Sequence, residues 1–398
     1  MDVARRLEEL RRSGLRRRLR LVQSPQGPRV TLDGHEVLLL CSNNYLGLAH
    51  HLKVRRAAAA AAMQWGAGAG ASRLVSGDMG PHRALERRLA AFDGAESALL
   101  FGSGYLANTG TIATLVGRDE VVLSDELNHA SIIDGCRLSR AERFVYRHRD
   151  TEHLAWGLRK AGRRAALIVT DGVFSMDGDV APLAELAELS RRHRCRLLVD
   201  EAHATGAIGP GGRGAVAEAG LTGEVDVVVG TLGKALGSYG AYVCGSSATI
   251  ELLVNSARPF IFSTAPPPPS VGAAAAALEL LTSRPDRVER LARNAEVLRA
   301  ELRAGGLDPG ESRTQILPIV VGEPRAATAL CELALERGVF AQAIRPPTVP
   351  AGTSRLRLAV MATHREAELR HAARVLVGAA REIGVGGLAA RPGARRAA

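Results

Sequence analysis

The sequence predicts an α/β fold: a large domain built on a mostly parallel sheet covered by helices, followed by a smaller α+β C-terminal domain. Three observations predict it. From about residue 50 to 280, short apolar runs of strand length alternate with helix-length segments, the pattern of a buried parallel sheet with helices on both faces. Several polar motifs stand just after those apolar runs, on the rim where open α/β sheets gather ligands. At 398 residues the chain also exceeds one average domain, so two cores are expected.

Taken in order, residues 1–20 read as a basic amphipathic arm broken at Ser13-Gly14. Arg29–Leu32 and Glu36–Leu40 read as a hairpin about the Asp33-Gly34 turn. Candidate strands follow at Ser97–Phe101, Val121–Leu123, Arg143–Tyr146, Ala166–Thr170, Arg196–Val199 and Val225–Val229, with a further one at Tyr242–Cys244. Helices are expected over Ala57–Met63, Pro81–Phe92, Pro182–Arg194 and Gly272–Leu281. The Pro266–Pro269 run closes this region, and Arg284-Pro285 reads as a hinge. The expected division is an arm and hairpin at 1–48, a large domain at 49–284 and a small one at 285–384. The Gly/Ala/Arg/Pro tail at 385–398 is expected to lack fixed structure.

Composition excludes several classes. Aromatic residues are only 4%, so Ala, Leu and Val must fill the core. No stretch approaches the ~18 apolar residues of a membrane span, and the N-terminus lacks the apolar segment of a secretory signal; a cytoplasmic protein is expected. The five cysteines are scattered and form no CxxC pair, which argues against a disulfide framework and against a metal site. A net charge of +11 raises the question of nucleic acid. Yet +5 of it lies in residues 1–20 and +3 in the tail, with no aromatic residues interleaved for base stacking. No nucleic-acid partner is expected.

The strongest local signal is Val227-Val-Val-Gly-Thr-Leu-Gly-Lys-Ala-Leu-Gly237. A strand leads through Thr231 into a Gly-flanked Lys234, where a confined amine with a depressed pKa can form a Schiff base. Alone, it reads equally well as a surface lysine in a turn. It is not alone. Arg196–Val199 ends in Asp200-Glu-Ala-His203. A carboxylate at the end of a buried strand needs a partner; a protonated pyridine nitrogen is one, a helix N-terminus another. His203 is placed to reach the same ligand. Ser97–Phe101 runs into Gly102-Ser-Gly-Tyr105 and a helix, whose free amides and the Ser103 hydroxyl suit an anion. In Leu127-Asn-His-Ala-Ser131, the His129 ring is either a helix cap or a flat partner for a ring.

Together these segments resemble the α-oxoamine synthases, fold-type I pyridoxal-phosphate enzymes. The motifs, in order, are Ser42-Asn-Asn-Tyr-Leu-Gly47, Phe101-Gly-Ser-Gly-Tyr105, Asn128-His-Ala-Ser131, Asp171-Gly-Val-Phe-Ser-Met-Asp-Gly178, Asp200-Glu-Ala-His203, Thr231-Leu-Gly-Lys234 and Phe262-Ser-Thr264. The likeness covers about Leu15 to Gly384. It implies that 49–284 is the pyridoxal-phosphate domain and that Lys234 holds the cofactor. It further implies that Asp200 pairs with the pyridine nitrogen, His203 with the ring phenolate, and that His129 stacks on the ring. Ser103, Gly104, Tyr105 and Thr231 would hold the phosphate, with Thr264 reaching it from a neighbouring subunit, and Ser175 would lie near the ring. Asn43 would sit near the substrate carboxylate. A homodimer with shared sites is implied.

Within the family, Ile344-Arg-Pro-Pro-Thr-Val-Pro350, followed by Ala351-Gly-Thr and Arg355-Leu-Arg-Leu358, resembles the members that join L-alanine to a pimeloyl thioester of coenzyme A or acyl carrier protein. That likeness makes Arg357 the clamp for the amino-acid carboxylate and adds Arg16 and Thr348 as substrate residues. Asp171 is a departure, since those members often carry Glu there. The rival expectations are an enzyme using glycine and acetyl-CoA and, in another class, a non-catalytic pyridoxal-phosphate-binding regulator, for whose DNA-binding domain the segment before Ser42 has no room.

Overall fold

The computed structural model describes residues 2–384; the tail expected at 385–398 lies outside them. Strands occur at β1 (Arg29–Leu32), β2 (His35–Leu39), β3 (Ser97–Phe101), β4 (Val121–Asp125), β5 (Glu142–Tyr146), β6 (Ala165–Asp171), β7 (Arg196–Asp200), β8 (Val227–Thr231) and β9 (Ala241–Gly245). They continue with β10 (Ile316–Gly322), β11 (Val339–Phe340), β12 (Gln342–Ile344) and β13 (Ser354–Ala359). The chain divides into two compact units, one of Leu48–Ser175 and Asp179–Val288, the other of Met1–Gly47, Met176–Gly178 and Glu289–Ala398.

The first unit is built on a seven-stranded sheet in the order β3-β9-β8-β7-β6-β4-β5. Five neighbouring strands, β8 through β5, pair in parallel, and β9 runs antiparallel to both β8 and β3. Leu and Val runs such as Ile168, Val169, Leu197 and Leu198, all fully buried, make these strands because a sheet covered on both faces leaves no side for polar residues. Parallel direction has a functional consequence. Asp125, Asp171, Asp200 and Thr231 end β4, β6, β7 and β8, so all four stand on the same carboxyl rim. Helices cover the sheet, and alanine compensates for the scarcity of aromatics by letting them touch: a Cβ added to Gly272 in Pro268–Ser283 would lie 2.7 Å from Ala61 Cβ in Leu52–Trp65.

The strands expected from the sequence appear within two residues at each end, the largest shift being β8, which starts at Val227 rather than Val225. Asp226 is withdrawn from the strand because its side chain accepts the Leu197 N–H at 2.8 Å.

In the second unit, the arm helix Val3–Arg12 is capped by Asp2, whose Oδ1 accepts the Ala4 N–H at 3.0 Å, and the arm turns at Gly14 with φ +69°. The hairpin β1–β2 recruits β11 in parallel, pairing Leu38 with Val339 and Leu39 with Phe340. A second sheet, β10-β13-β12, is antiparallel and sets Arg357 opposite both Pro318 and Gln342. Near it, His364 is buried, its Nδ1 3.0 Å from the Met361 amide and its Nε2 3.0 Å from Leu39 O. With one nitrogen accepting and the other donating, the ring is neutral, and burial pushes its pKa down to about 4. Because the folded value is below the ordinary one, stability is present near neutral pH and is lost as pH falls from about 6.5 toward 4, by roughly 3 kcal/mol in all. Denaturant unfolding from pH 7 to 4.5 is expected to show this slope in the parent and a flatter one in His364→Gln.

Candidate active site

On the carboxyl rim of the large sheet lies a cavity of about 170 Å³ whose walls include Lys234, His203, Asp200, Asp171 and His129. The turn after β8 carries Lys234, and the turn after β7 carries His203; Lys234 Nζ stands 2.7 Å from His203 Nε2. Gly237 makes the lysine turn possible. Its φ is +59°, and a Cβ there would lie 2.3 Å from the Ala49 amide nitrogen, so this glycine serves a close backbone approach. Gly233 has room for a side chain by comparison.

Asp200 is buried and its donors are neutral: Asn108 Nδ2 gives a hydrogen bond to Oδ2 at 2.6 Å and the Ala202 N–H one to Oδ1 at 2.8 Å. Asn108 also donates to Ser131 Oγ at 2.9 Å, and Ser131 Oγ is 2.7 Å from His129 Nδ1. His129 caps the helix Ala130–Leu138 and lines the cavity. Desolvation by the cavity walls and the Lys234 charge lower its pKa, while the Asp200 carboxylate opposes them.

Asp171 lies opposite Asp200 in the β6–β7 register and accepts the His129 N–H at 2.7 Å. Burial first, and then the charge of Asp200, raise its pKa well above the ordinary carboxylate value. Two adjacent buried carboxylates are relieved when one holds a proton. Asp171→Asn is therefore expected to unfold within about 1 kcal/mol of the parent. Asp171→Ala, which leaves the His129 amide without its acceptor, is expected to lose about 1–3 kcal/mol in the same denaturant titration.

Beside these groups the helix Gly104–Leu115 begins, with Ser103 as its N-cap, Oγ accepting the Leu106 N–H at 3.2 Å. Its first-turn amides have no intrahelical acceptor, and space beside Gly104 is open. Gly104, Tyr105 and Thr231 line the cavity; Thr231 Oγ1 also donates to Gly240 O at 3.2 Å. The donor set fits pyridoxal phosphate: an amine, a buried carboxylate for the ring nitrogen, a flat imidazole, and a helix start for a dianion. The buried, unpaired Oδ1 of Asn108 shows that the polar lining is not closed upon itself.

The remaining sequence candidates are not among the residues that line this cavity. Ser175 is buried at the end of the loop from Asp171. Thr264 is exposed, bridged to Ser72, and does not line its own chain's cavity. In the second unit, Arg357 is buried, with Nη1 donating to Asn43 Oδ1 at 3.1 Å and Nη2 to Tyr45 Oη at 3.3 Å. Arg16 and Thr348 are exposed, each tied by its backbone to Arg345.

Sequence reasoning missed Asn108, Ser131 and Tyr45 as site residues. Asn108 had a signal, standing one helical turn after Gly104. A further signal was composition: the chain has only three lysines, Lys53, Lys160 and Lys234. Lys53 pairs with Glu279 and Lys160 sits over the Trp156 ring. A chain that otherwise uses arginine keeps lysine where an amine must lose its proton.

The sequence model of the family described as aminotransferase class I and II matches residues 35–376. An 8-amino-7-oxononanoate synthase of Geobacter sulfurreducens is 52% identical, covering 96% of this chain and 99% of that protein. One from Anaeromyxobacter dehalogenans is 55% identical over 91% of each. Among solved structures, a serine palmitoyltransferase from S. paucimobilis with bound PLP superposes with a TM-score of 0.91 at 32% identity, covering 96% of this chain and 97% of that one. An 8-amino-7-oxononanoate synthase from Francisella tularensis gives 0.76 at 27%, over 87% and 98%. With a family match across most of its length and relatives at more than half identity, the chain belongs to the class I and II aminotransferase family, in its 8-amino-7-oxononanoate synthase branch.

Proposed function

We propose that the chain condenses L-alanine with a pimeloyl thioester, releasing thiol and carbon dioxide and forming 8-amino-7-oxononanoate for biotin synthesis. The observation that carries the chemistry is the convergence of Lys234, His203, Asp200 and His129 on one cavity; the relatives at 52% and 55% identity carry the choice of substrates. When bound, pyridoxal phosphate supplies an electron sink for the charge left at the alanine Cα.

The residues divide the remaining work. Lys234 would hold the cofactor and, being tethered beside the substrate, would serve as the base that takes the proton from the alanine Cα. Asp200 would keep a proton on the ring nitrogen, and His203 would donate to the ring phenolate. His129 would cover one ring face. Ser103, Gly104, Tyr105 and Thr231 would bind the phosphate, and Ser175 would lie by the ring. Arg357 and Asn43 hold the alanine carboxylate, with Arg16 and Thr348 toward the acyl chain. The new bond joins alanine Cα to the thioester carbonyl carbon; the thiol leaves, and the former alanine carboxylate departs as carbon dioxide.

A homodimer completes this reading, with Thr264 serving the neighbouring subunit's phosphate. Phe262, two residues before Thr264, exposes an apolar ring that a neighbouring subunit at this segment would cover. The deciding assay supplies purified protein and pyridoxal phosphate with L-alanine and pimeloyl-CoA or pimeloyl carrier protein, and in parallel with glycine and acetyl-CoA. Product of the mass of 8-amino-7-oxononanoate only with alanine is expected; turnover only with glycine would move the chain to a sister reaction.

A further inference from the structure

His148 does not line the cavity and the mechanism does not use it, yet its ring is held on three sides. Nδ1 lies 3.0 Å from Asp125 Oδ1 and Nε2 2.7 Å from Asp179 Oδ2. Its edge meets Phe174, with centroids 4.4 Å apart and planes at 88°. A neutral imidazole has one N–H and would turn a lone pair toward one of the two carboxylates. Those side chains are only 1% and 9% exposed, so water would not screen a carboxylate from that lone pair. Geometry thus makes the ring an imidazolium. Burial opposes that charge, but hydrogen bonds and charge from Asp125 and Asp179 outweigh it and hold the pKa at about 9. Arg149 adds a second cation, its guanidinium 3.3 Å from Asp179 Oδ2, and Glu126 accepts the His148 N–H at 2.8 Å.

The two carboxylates belong to the two loops that feed the cavity. Asp125 ends β4, and its Oδ1 also accepts the Leu127 N–H at 2.9 Å, starting the turn that delivers His129. Asp179 closes the loop that leaves β6 at Asp171; its backbone oxygen accepts the Phe174 N–H at 3.0 Å, next to Ser175. We propose that His148 is a positioning residue, a cation shared by Asp125 and Asp179 that fastens the loop of His129 to the loop of Ser175 and so sets the seat of the cofactor ring. The proposal rests on the pyridoxal-phosphate reading of the cavity and is independent of which acyl donor is used.

The test is His148→Gln, read in three ways. In the protein stripped of cofactor, amide hydrogen exchange is expected to accelerate in 125–129 and 171–180 together. Pyridoxal phosphate, followed by its visible absorption and circular dichroism, is expected to bind roughly ten-fold more weakly with an altered dichroism band. At saturating cofactor, kcat is expected to fall roughly ten- to hundred-fold with both KM values within about two-fold, as misplacement of a reacting group predicts. Leu158→Ala, in the core and not among the residues that line the cavity, controls for lost stability and is expected to lower Tm with kcat unchanged. Should His148→Gln fail to fold, His148→Gln/Asp179→Asn removes a carboxylate together with the cation and is expected to fold with the same defects. A folded variant with parental exchange, cofactor affinity and kcat, or one that merely melts earlier, would overturn the proposal. Exchange and cofactor affinity do not depend on the substrates, so failure of the alanine assay would leave this test intact.

Discussion

Replacing Lys234 by alanine is expected to lower turnover by about 10⁴-fold or more while the protein stays folded, because in the proposed mechanism the side chain supplies both the covalent hold on the cofactor and the base for the Cα proton. The fold should survive: Lys234 is only partly buried and sits in a turn outside the strands. No other lysine can substitute, since Lys53 is engaged with Glu279 and Lys160 with Trp156. His203, 2.7 Å from the lysine amine, loses its neighbour but keeps its place after β7. Lys234→Arg sharpens the test, because it preserves the positive charge while a guanidinium does not give up its proton near neutral pH. If Lys234 acted by charge alone, the arginine variant would keep much of the rate; it is expected to be as inactive as the alanine variant. Product formation by mass spectrometry and the visible band of bound pyridoxal phosphate are the two measurements. Turnover within ten-fold of the parent in Lys234→Ala would sink the assignment.

Much of this site was legible in sequence because its residues follow strands. A run such as Arg196–Val199 announces a buried strand, and parallel strands deliver the next polar residue to one rim, so Asp200, His203, Thr231 and Lys234 could be gathered before any coordinates. What stayed illegible depends on contacts across the chain. Asn108 sits inside a helix, and only the approach of that helix to its neighbours joins it to Asp200 and Ser131. The raised pKa of Asp171 depends in part on a register that puts it opposite Asp200, which neither residue's own segment encodes. The same holds for β11: two residues, Val339 and Phe340, form a strand because β2 offers an edge some 300 positions earlier. Periodicity over two residues carries no signal. The Gly237 turn was legible as a glycine requirement but not in its cause, which is the backbone at Leu48 and Ala49.

Asp200→Asn should separate stability from chemistry. In the cofactor-free protein Asp200 is a buried carboxylate served by neutral donors, Asn108 and the Ala202 amide, with a second acid across the register. Such an arrangement is a liability until a cation arrives. The amide introduced at 200 keeps an oxygen for one donor, and its new N–H has the buried, unpaired Oδ1 of Asn108 as an acceptor once that side chain turns. The apoprotein variant is therefore expected to unfold at the parent's denaturant midpoint or above it. Catalysis should move the other way. In the proposed mechanism the carboxylate is what holds a proton on the ring nitrogen, and the loss of a buried charge partner of about 3–5 kcal/mol corresponds to a fall in kcat of roughly 10²–10⁴-fold. The stabilisation that pyridoxal phosphate gives the parent should shrink by a similar free energy. A variant that lost stability without cofactor and activity in the same proportion would mean that Asp200 supports the rim of the sheet and has no special claim on the ring. Opposite signs in the two measurements are what a carboxylate kept for an absent cation requires.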